Sequence, residues 1–136
     1  RVVGTSHAGW KGTAAEIGRI TVERMVSDYG CRPEDILVGI APSIGPCCFE
    51  VDRPVYEIFA ALPVFDQACV EPRPGDKYLI NLWEVNRRSL LSAGVRPEHI
   101  TVTDLCTRCH PELFWSHRYA GDRRGSLAAF IGMVEG

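Results

Sequence analysis

The histidine in the segment His-Ala-Gly-Trp-Lys-Gly, at position 7, is the first side chain whose type and setting suggest chemistry. It follows an apolar stretch and precedes a helical pattern, where side chains point towards a loop-built cleft. Neutral imidazole is the commonest protein ligand for zinc and copper, so His7 is a candidate metal ligand. From position alone, a capping or hydrogen-bonded histidine is favoured. Trp10 offers a large flat wall beside it, although most such tryptophans belong to a core.

The segment Cys-Thr-Arg-Cys-His, residues 106–110, has the spacing of c-type haem attachment. That chemistry normally needs export to an oxidising compartment and a distant axial ligand, and the α/β pattern leaves no obvious haem crevice. A zinc knuckle would need a second pair at similar spacing, and the adjacent Cys47 and Cys48 have the wrong geometry for it. The sequence therefore predicts thiols that pack or stabilise loops, with Cys47 and Cys48 not assigned to a metal.

Two aromatic residues, a histidine and an arginine are grouped in Phe-Trp-Ser-His-Arg, residues 114–118. This combination could bind an anionic, aromatic substrate, with Arg118 making a bidentate contact to phosphate. It could equally be a loop pinned by its aromatics and carrying solvated charge. Asp104, at the end of a predicted strand, is placed to orient a ligand or a cation and is equally placed to cap a turn.

The elements that must position these residues alternate between strands and helices. Asp52 and Asn81 are expected to cap helices, Asn81 with Glu84 three residues later, and Gly30 and Gly94 are expected to end helices. The pattern predicts, in order, a strand at 1–6, a helix at about 13–29, a buried strand at 36–41, a helix after Asp52, a turn and short strand at 72–81, a helix from Asn81 to Gly94, a strand at 98–104, a long irregular segment and a last strand at 126–133. The fold class is mixed α/β in a single sandwich-type domain, residues 1–136.

Composition limits the classes of function. The 136 residues carry a formal net charge of −2 and have no basic patch, which argues against a nucleic-acid partner. No apolar run approaches the roughly 18 residues that span a membrane, so no membrane role is expected. A core this aliphatic does not need disulfides, and reduced cysteines in a cytoplasmic protein are expected. Residue 1 is Arg in what reads as mid-strand, which suggests part of a larger protein.

Five segments, in this order and at these separations, resemble one family over nearly the whole chain: HAGWKG, IGPCCFEV, GDKYLINLWEVNRRSLLSAGV, DLCTRCHPELFWSHR and GSLAAFIGM. It is the family long labelled multicopper polyphenol oxidases or laccase-domain proteins and later recognised as purine nucleoside phosphorylases. The resemblance implies a mixed α/β domain whose N-terminal strands lie upstream of residue 1. It also implies a metal site, usually zinc, with copper invoked for the oxidase activity.

The resemblance carries specific residues with it. The family's three metal ligands are a histidine in Val-His-Gly, a cysteine in Asp-Cys-x-Pro and the histidine of His-Ala-Gly-Trp, of which this chain has only the last, His7. Arg118 matches an arginine expected to meet phosphate, and from residue type we expect Trp10 or Phe114 to stack on the purine. The family's second and later arginines are replaced by Tyr119 and Ser126, so phosphate is held differently or less well if those arginines bind it.

The implied activity is phosphorolysis of purine nucleosides such as adenosine and inosine, with guanosine and methylthioadenosine as further candidates and adenosine deamination as a second activity. The enzymatic alternative is copper-dependent oxidation of phenols. Four histidines are too few in this half to build a multicopper relay, which ranks that alternative second. A non-catalytic binding or assembly domain, in which His7 and the cysteines only stabilise loops, is the third.

Overall fold

The computed structural model describes residues 1–134 and confirms the mixed α/β class. Within that range the helices are α1 (Trp10–Ala14), α2 (Ile17–Tyr29), α3 (Arg53–Ala60), α4 (Leu82–Ser92) and α5 (His117–Ala120). The strands are β1 (Val38–Ile40), β2 (Glu50–Asp52), β3 (Val70–Arg73), β4 (Lys77–Ile80) and β5 (Ile100–Val102).

The strands form two separate sheets of opposite type. β1 and β5 pair in parallel, with Val38 opposite Ile100 and Ile40 opposite Val102. β2, β4 and β3 form an antiparallel sheet in that spatial order. The predicted turn contains Gly75 and Asp76, both at positive φ, and the predicted short strand after it is β4. The strand before the turn, β3, was not predicted and pairs with β4 in a hairpin.

Helix α4 joins the two hydrophobic clusters of the molecule. One cluster, beside the antiparallel sheet, has Phe59, Ile80 and Val85 fully buried at its centre. The other cluster lies beside the parallel pair and includes Ile36 and Leu90. Because Val85 and Leu90 both belong to α4, this helix fixes the position of one sheet relative to the other.

The predicted helix ends are confirmed. The Asp52 side chain accepts a hydrogen bond from the Val55 N–H, and the Asn81 side chain accepts one from the Glu84 N–H at 3.1 Å. Each cap satisfies an amide that has no partner inside its helix. Gly94 follows α4 with a φ of +93°, and Gly30 follows α2 with a φ of +67°.

The single helix predicted at 13–29 is instead two helices. It begins earlier, at Trp10, and breaks at Glu16, whose φ of +53° lies in the left-handed region. The break places the Glu16 carboxylate 3.4 Å from an Arg19 guanidinium nitrogen and 3.4 Å from the Ser89 hydroxyl on α4. Tertiary contact with α4 therefore overrides the continuous helical periodicity of the sequence.

The first and last predicted strands are wrong for the described residues. Segments 1–6 and 126–133 have no strand assignment, and the buried strand predicted at 36–41 is reduced to β1. Neither terminal segment finds a strand to pair with among residues 1–134, and a β-strand is stable only when its backbone groups are paired. Consequently the apolar side chains of the last segment remain exposed, with Phe130 at 93%.

In the described part of the chain, no helix is both long enough and apolar enough to cross a bilayer.

Glu84 should make the stability of the fold sensitive to acid. Arg87 and Arg88 both donate to its carboxylate, and the hydrogen bond from Arg87 chiefly lowers its pKa below the ordinary value of 4.5. The unfolded chain therefore binds this proton more readily. The stabilisation is complete above the unfolded pKa and is lost as the pH falls through the lower folded value.

We predict that Glu84→Gln is less stable than the wild type near pH 7 and that the difference narrows as the pH falls below about 4. Urea unfolding at a series of pH values measures this directly. A difference that is independent of pH would contradict the assignment.

Candidate functional site

The loop that carries His7 is shaped by two glycines. A Cβ atom at Gly9 would lie 2.9 Å from the His7 Nε2, and one at Gly12 would lie 2.9 Å from the His7 carbonyl oxygen. The carbonyl belongs to the backbone, so the loop requires glycine at position 12, whereas the exposed imidazole could move aside for a side chain at position 9. His7 itself is exposed.

A buried hydrogen-bond chain fixes this loop to α4. The Thr13 hydroxyl donates to the Ala8 carbonyl at 3.1 Å and accepts from the Asn86 amide nitrogen at 3.0 Å. Asn86 also donates to the Leu82 carbonyl one turn earlier in α4. Because Thr13 is fully buried and Asn86 nearly so, these bonds are protected from water and hold the segment after His7 in one conformation.

Trp10 is partly buried and packs against the cluster beside the antiparallel sheet. The Lys11 ammonium lies 5.6 Å from the centre of its ring. Trp10 therefore contributes to the hydrophobic packing of the protein, and its role in stacking on a purine stays a prediction.

In the described part of the chain, the donor atoms near His7 do not complete a metal site. Among residues 1–134, the one group of three or more potential ligands that lie close together consists of four cysteines and does not include His7. Zinc sites in proteins have three or four protein ligands, so one imidazole does not suffice. The ligand role of His7 stays a prediction that depends on residues outside the chain.

The sulfurs of the group Cys47, Cys48, Cys106 and Cys109, here called the four-cysteine cluster, all lie within 4.8 Å of one another. The Cys109 sulfur is 3.6 Å from that of Cys47 and 3.5 Å from that of Cys48. All four thiols are free. Their spacing would allow them to bind a metal ion.

The cluster forms because its two halves follow neighbouring parallel strands. Cys47 and Cys48 lie in the loop after β1, and Cys106 and Cys109 lie in the loop after β5. The loops continue the pairing of the strands, since Ser43 and Cys106 form an isolated parallel bridge. Adjacent parallel strands deliver their following loops to the same edge of a sheet, so the two halves meet there.

Close packing at Gly45 fixes the two loops against α4. A Cβ atom at this position would lie 2.9 Å from the Trp83 ring and 3.1 Å from the Cys106 Cβ. The Trp83 indole N–H donates to the Ser43 hydroxyl at 2.6 Å. The Gly45 N–H in turn donates to the Cys106 sulfur at 3.2 Å.

The expectation that Cys47 and Cys48 lack the geometry to join the second pair is wrong. That expectation considered only spacings along the sequence. In the structure, two tight turns bring the two cysteine pairs together, one turn after Gly45 and one after Cys106. The signal that could have found it is positional: each cysteine pair follows a predicted strand. His110, the histidine of the haem-like spacing, contacts the Glu112 carboxylate at 3.2 Å.

The Cys106 thiol loses its proton more readily than an ordinary cysteine. Burial acts to raise the pKa of this thiol, but hydrogen bonds from backbone N–H groups, Gly45 foremost, outweigh it and bring the pKa down to about 7. The pKa of Cys109 is raised, chiefly by its hydrogen bond with Cys48.

Arg118, on α5, lies beside the cluster. Its guanidinium donates to the Glu50 carbonyl at 2.9 Å and lies 5.3 Å from the centre of the Phe49 ring. Arg73, Arg108 and Arg118 line a shallow groove of about 300 Å³ together with Cys47 and Cys48, among others. Three arginines and one acidic residue, Glu50, line this groove, so its lining has a net positive formal charge and could receive an anion.

The structure does not bring all the predicted site residues to this groove. His7, Trp10 and Phe114 do not line it, nor do they line a second groove in which Arg118 takes part. Phe114 is partly buried, and its N–H donates to the His110 carbonyl. Asp104 is exposed with a φ of +55° and lies in the loop after β5.

Comparison with known proteins places the chain in a family. The family model for multi-copper polyphenol oxidoreductase laccase matches residues 1–134. The chain belongs to this laccase family. The resemblance inferred from the five sequence segments is thereby confirmed.

Relatives within the laccase family carry phosphorylase names. Purine nucleoside phosphorylase YlmD of Bacillus subtilis is 40% identical over 98% of this chain and 48% of its own length. Purine nucleoside phosphorylase LACC1 of Homo sapiens is 37% identical over 99% of this chain and 32% of its own length. The chain thus spans at most about half the length of these curated relatives.

Solved structures show the same fold. The crystal structure of a hypothetical protein YfiH from Bacillus licheniformis matches with a TM-score of 0.79 and 40% identity, over 84% of this chain and 43% of that one. The crystal structure of YlmD from Geobacillus stearothermophilus matches equally, with a TM-score of 0.79.

We predict that Thr13→Val destabilises the protein by about 1–3 kcal/mol, because it leaves the Ala8 carbonyl and an Asn86 N–H without a buried partner. Urea unfolding measures the loss, and hydrogen exchange should show faster exchange in the segment after His7. Thr101→Val, at an exposed position of β5, is the matched control and should stay within about 0.5 kcal/mol of the wild type. Equal effects of the two substitutions would contradict the anchoring role of Thr13.

Proposed function

We propose that this chain is the C-terminal part of an enzyme that cleaves purine nucleosides with phosphate. The observation that carries the proposal is the family membership together with the phosphorylase names of relatives 32–41% identical over nearly the whole chain. Candidate substrates are adenosine and inosine, followed by guanosine and methylthioadenosine.

In this reaction a phosphate oxygen forms a bond to the anomeric carbon of the ribose. The bond from that carbon to the purine nitrogen breaks, and the base leaves with the electron pair and takes up a proton. The products are the free purine and ribose 1-phosphate. Catalysis requires that phosphate, which is a monoanion or dianion near neutral pH, be held close to the ribose and partly desolvated.

Arg118 is the residue we propose for binding phosphate. Its side chain donates a hydrogen bond to the neutral backbone carbonyl of Glu50, and it forms no salt bridge with any residue from 1 to 134. The charge is therefore available to an anion, and a guanidinium can contact phosphate through two N–H groups. Arg108 and Arg73 line the same groove and add positive potential, although Arg73 is already paired with Glu71 at 2.9 Å.

For His7 we propose a role as one ligand of a zinc site, with copper as the other candidate metal. Such a metal would supply a Lewis acid or an activated water, the latter suited to the deamination of adenosine. The remaining ligands would come from outside the chain, since residues 1–134 do not complete the site. Trp10 and Phe114 stay candidates for stacking on the purine.

The two alternatives have less support. Copper-dependent oxidation of phenols is suggested by the family's description, but multicopper centres require several histidines close together, and the donor group found in residues 1–134 contains only cysteines. A non-catalytic binding domain would differ in function from the relatives, which are named as phosphorylases.

The proposal is tested by measuring phosphate-dependent release of hypoxanthine from inosine and of adenine from adenosine, using the natural full-length protein. We predict that Arg118→Gln raises the KM for phosphate by roughly 10- to 100-fold, because a charge-assisted contact is lost. Arg24→Gln, which replaces an exposed arginine of α2 paired with Asp28, is the matched control and should leave the KM unchanged.

We predict further that His7→Ala lowers kcat by about 100-fold or more, since loss of a metal ligand disrupts the site. His99→Gln, which replaces a histidine that lines neither groove, serves as its control. No base release by folded, metal-loaded wild-type protein would overturn the phosphorylase proposal. Unchanged kinetics in His7→Ala would overturn the role of His7.

A further inference from the structure

The four-cysteine cluster is the strongest feature outside the proposed phosphorylase residues. We propose that Cys47, Cys48, Cys106 and Cys109 bind one zinc ion through their four sulfurs, and that this ion joins the loops that follow β1 and β5. The site is distinct from the one proposed at His7, because its donor group contains no histidine.

Two of the sulfur–sulfur distances are close to those around a tetrahedral zinc ion, and all of them are within 4.8 Å. Zinc–sulfur bonds of about 2.3 Å at tetrahedral angles separate the sulfurs by about 3.8 Å. The measured separations from Cys109, 3.5 Å to Cys48 and 3.6 Å to Cys47, lie within a few tenths of an ångström of that value. A disulfide would require about 2.05 Å, so the observed arrangement is closer to shared coordination than to a covalent bond.

The surroundings suit thiolate ligands. The Gly45 N–H donates to the Cys106 sulfur at 3.2 Å, and an Arg108 guanidinium nitrogen lies 3.5 Å from the Cys48 sulfur. Four thiolates and one zinc ion carry a net charge of about −2, and N–H donors and a nearby cation offset such charge. When zinc binds, the protons still held by the thiols pass to solvent, and no oxidation or reduction is involved.

The chemistry of the donors selects among metals. Sulfur ligands in a tetrahedral arrangement favour zinc or iron–sulfur centres over copper(II), magnesium or calcium. Sulfurs that all lie within 4.8 Å of one another surround a single ion, whereas a cluster of several irons would hold its cysteines farther apart. With four protein ligands the coordination is closed, so the ion would stabilise structure and would not activate water.

The zinc ion would hold in place residues that line or adjoin the groove of Arg118. Cys48 directly precedes Phe49 and Glu50, which contact Arg118, and Cys109 lies in the segment that leads to α5. Zinc would thus fix both sides of the Arg118 contact. This consequence rests on the proposed function, whereas zinc binding itself does not.

The test is zinc content by elemental analysis of the full-length protein purified under reducing conditions, after equilibration with zinc and removal of loosely bound ions. In a His7→Ala background, which removes the proposed ligand of the other site, we expect about one zinc per chain. The double variant Cys48→Ser and Cys109→Ser in that background should lose at least about nine tenths of it. Cys31→Ser, a free cysteine outside the cluster, should retain it.

A second readout covers the case in which the cysteine variants fail to fold. Cobalt(II) bound to the His7→Ala protein should give the intense absorption of a tetrahedral tetrathiolate site, and zinc should displace it. Any of three results would overturn the proposal. The first is a zinc content near zero with no cobalt spectrum, and the second is full zinc retention in the folded double variant. The third is mass-spectrometric proof of a disulfide in the freshly purified protein. Loss of phosphorolysis alone would bear on the proposed function and not on the zinc site.

Discussion

The parallel pairing of β1 with β5 is the constraint on which the four-cysteine cluster and the groove beside it depend. Only three residues of each strand take part, from Val38 opposite Ile100 to Ile40 opposite Val102, but they set the direction in which both following loops leave the sheet. The bridge between Ser43 and Cys106 extends that alignment beyond the strands. Two loops more than 50 residues apart in sequence thereby present their cysteines to each other, and Arg118 lies against the same surface. Without this register, neither the cluster nor the groove would exist.

Helix α4 transmits this arrangement to the rest of the molecule. Successive turns of the helix contact different parts of the fold: Trp83 donates to Ser43 in the loop after β1, and Asn86 donates to Thr13 in the segment after His7. Ser89 reaches Glu16 at the break between α1 and α2. The His7 segment and the four-cysteine cluster are therefore held by one rigid element, although they line no common groove among those described. A change in the packing of α4 should disturb both.

The sequence correctly predicted the helix ends, which depend on interactions between residues close together in the chain. Asn81 with Glu84, Asp52 and Gly94 marked helix ends correctly, because capping involves residues only a few positions apart. Segments 1–6 and 126–133 were mispredicted because apolar character indicates a strand only if a partner strand is present, and none lies within the described residues. The break at Glu16 and the convergence of Cys48 with Cys109 arise from long-range packing, which periodicity does not encode. His7 and Arg118 were singled out by residue type and resemblance, but their separation into different surroundings required the structure.

Anomalous diffraction from crystals of the zinc-equilibrated protein, with data on both sides of the zinc absorption edge, tests the central claim most directly. If the loops after β1 and β5 form one metal-linked unit, an anomalous peak should lie among Cys47, Cys48, Cys106 and Cys109, at about 2.3 Å from each sulfur. The account would be contradicted if the four sulfurs of the full-length protein surround no peak. A distance of about 2.05 Å between two of them, which is that of a disulfide, would also contradict it.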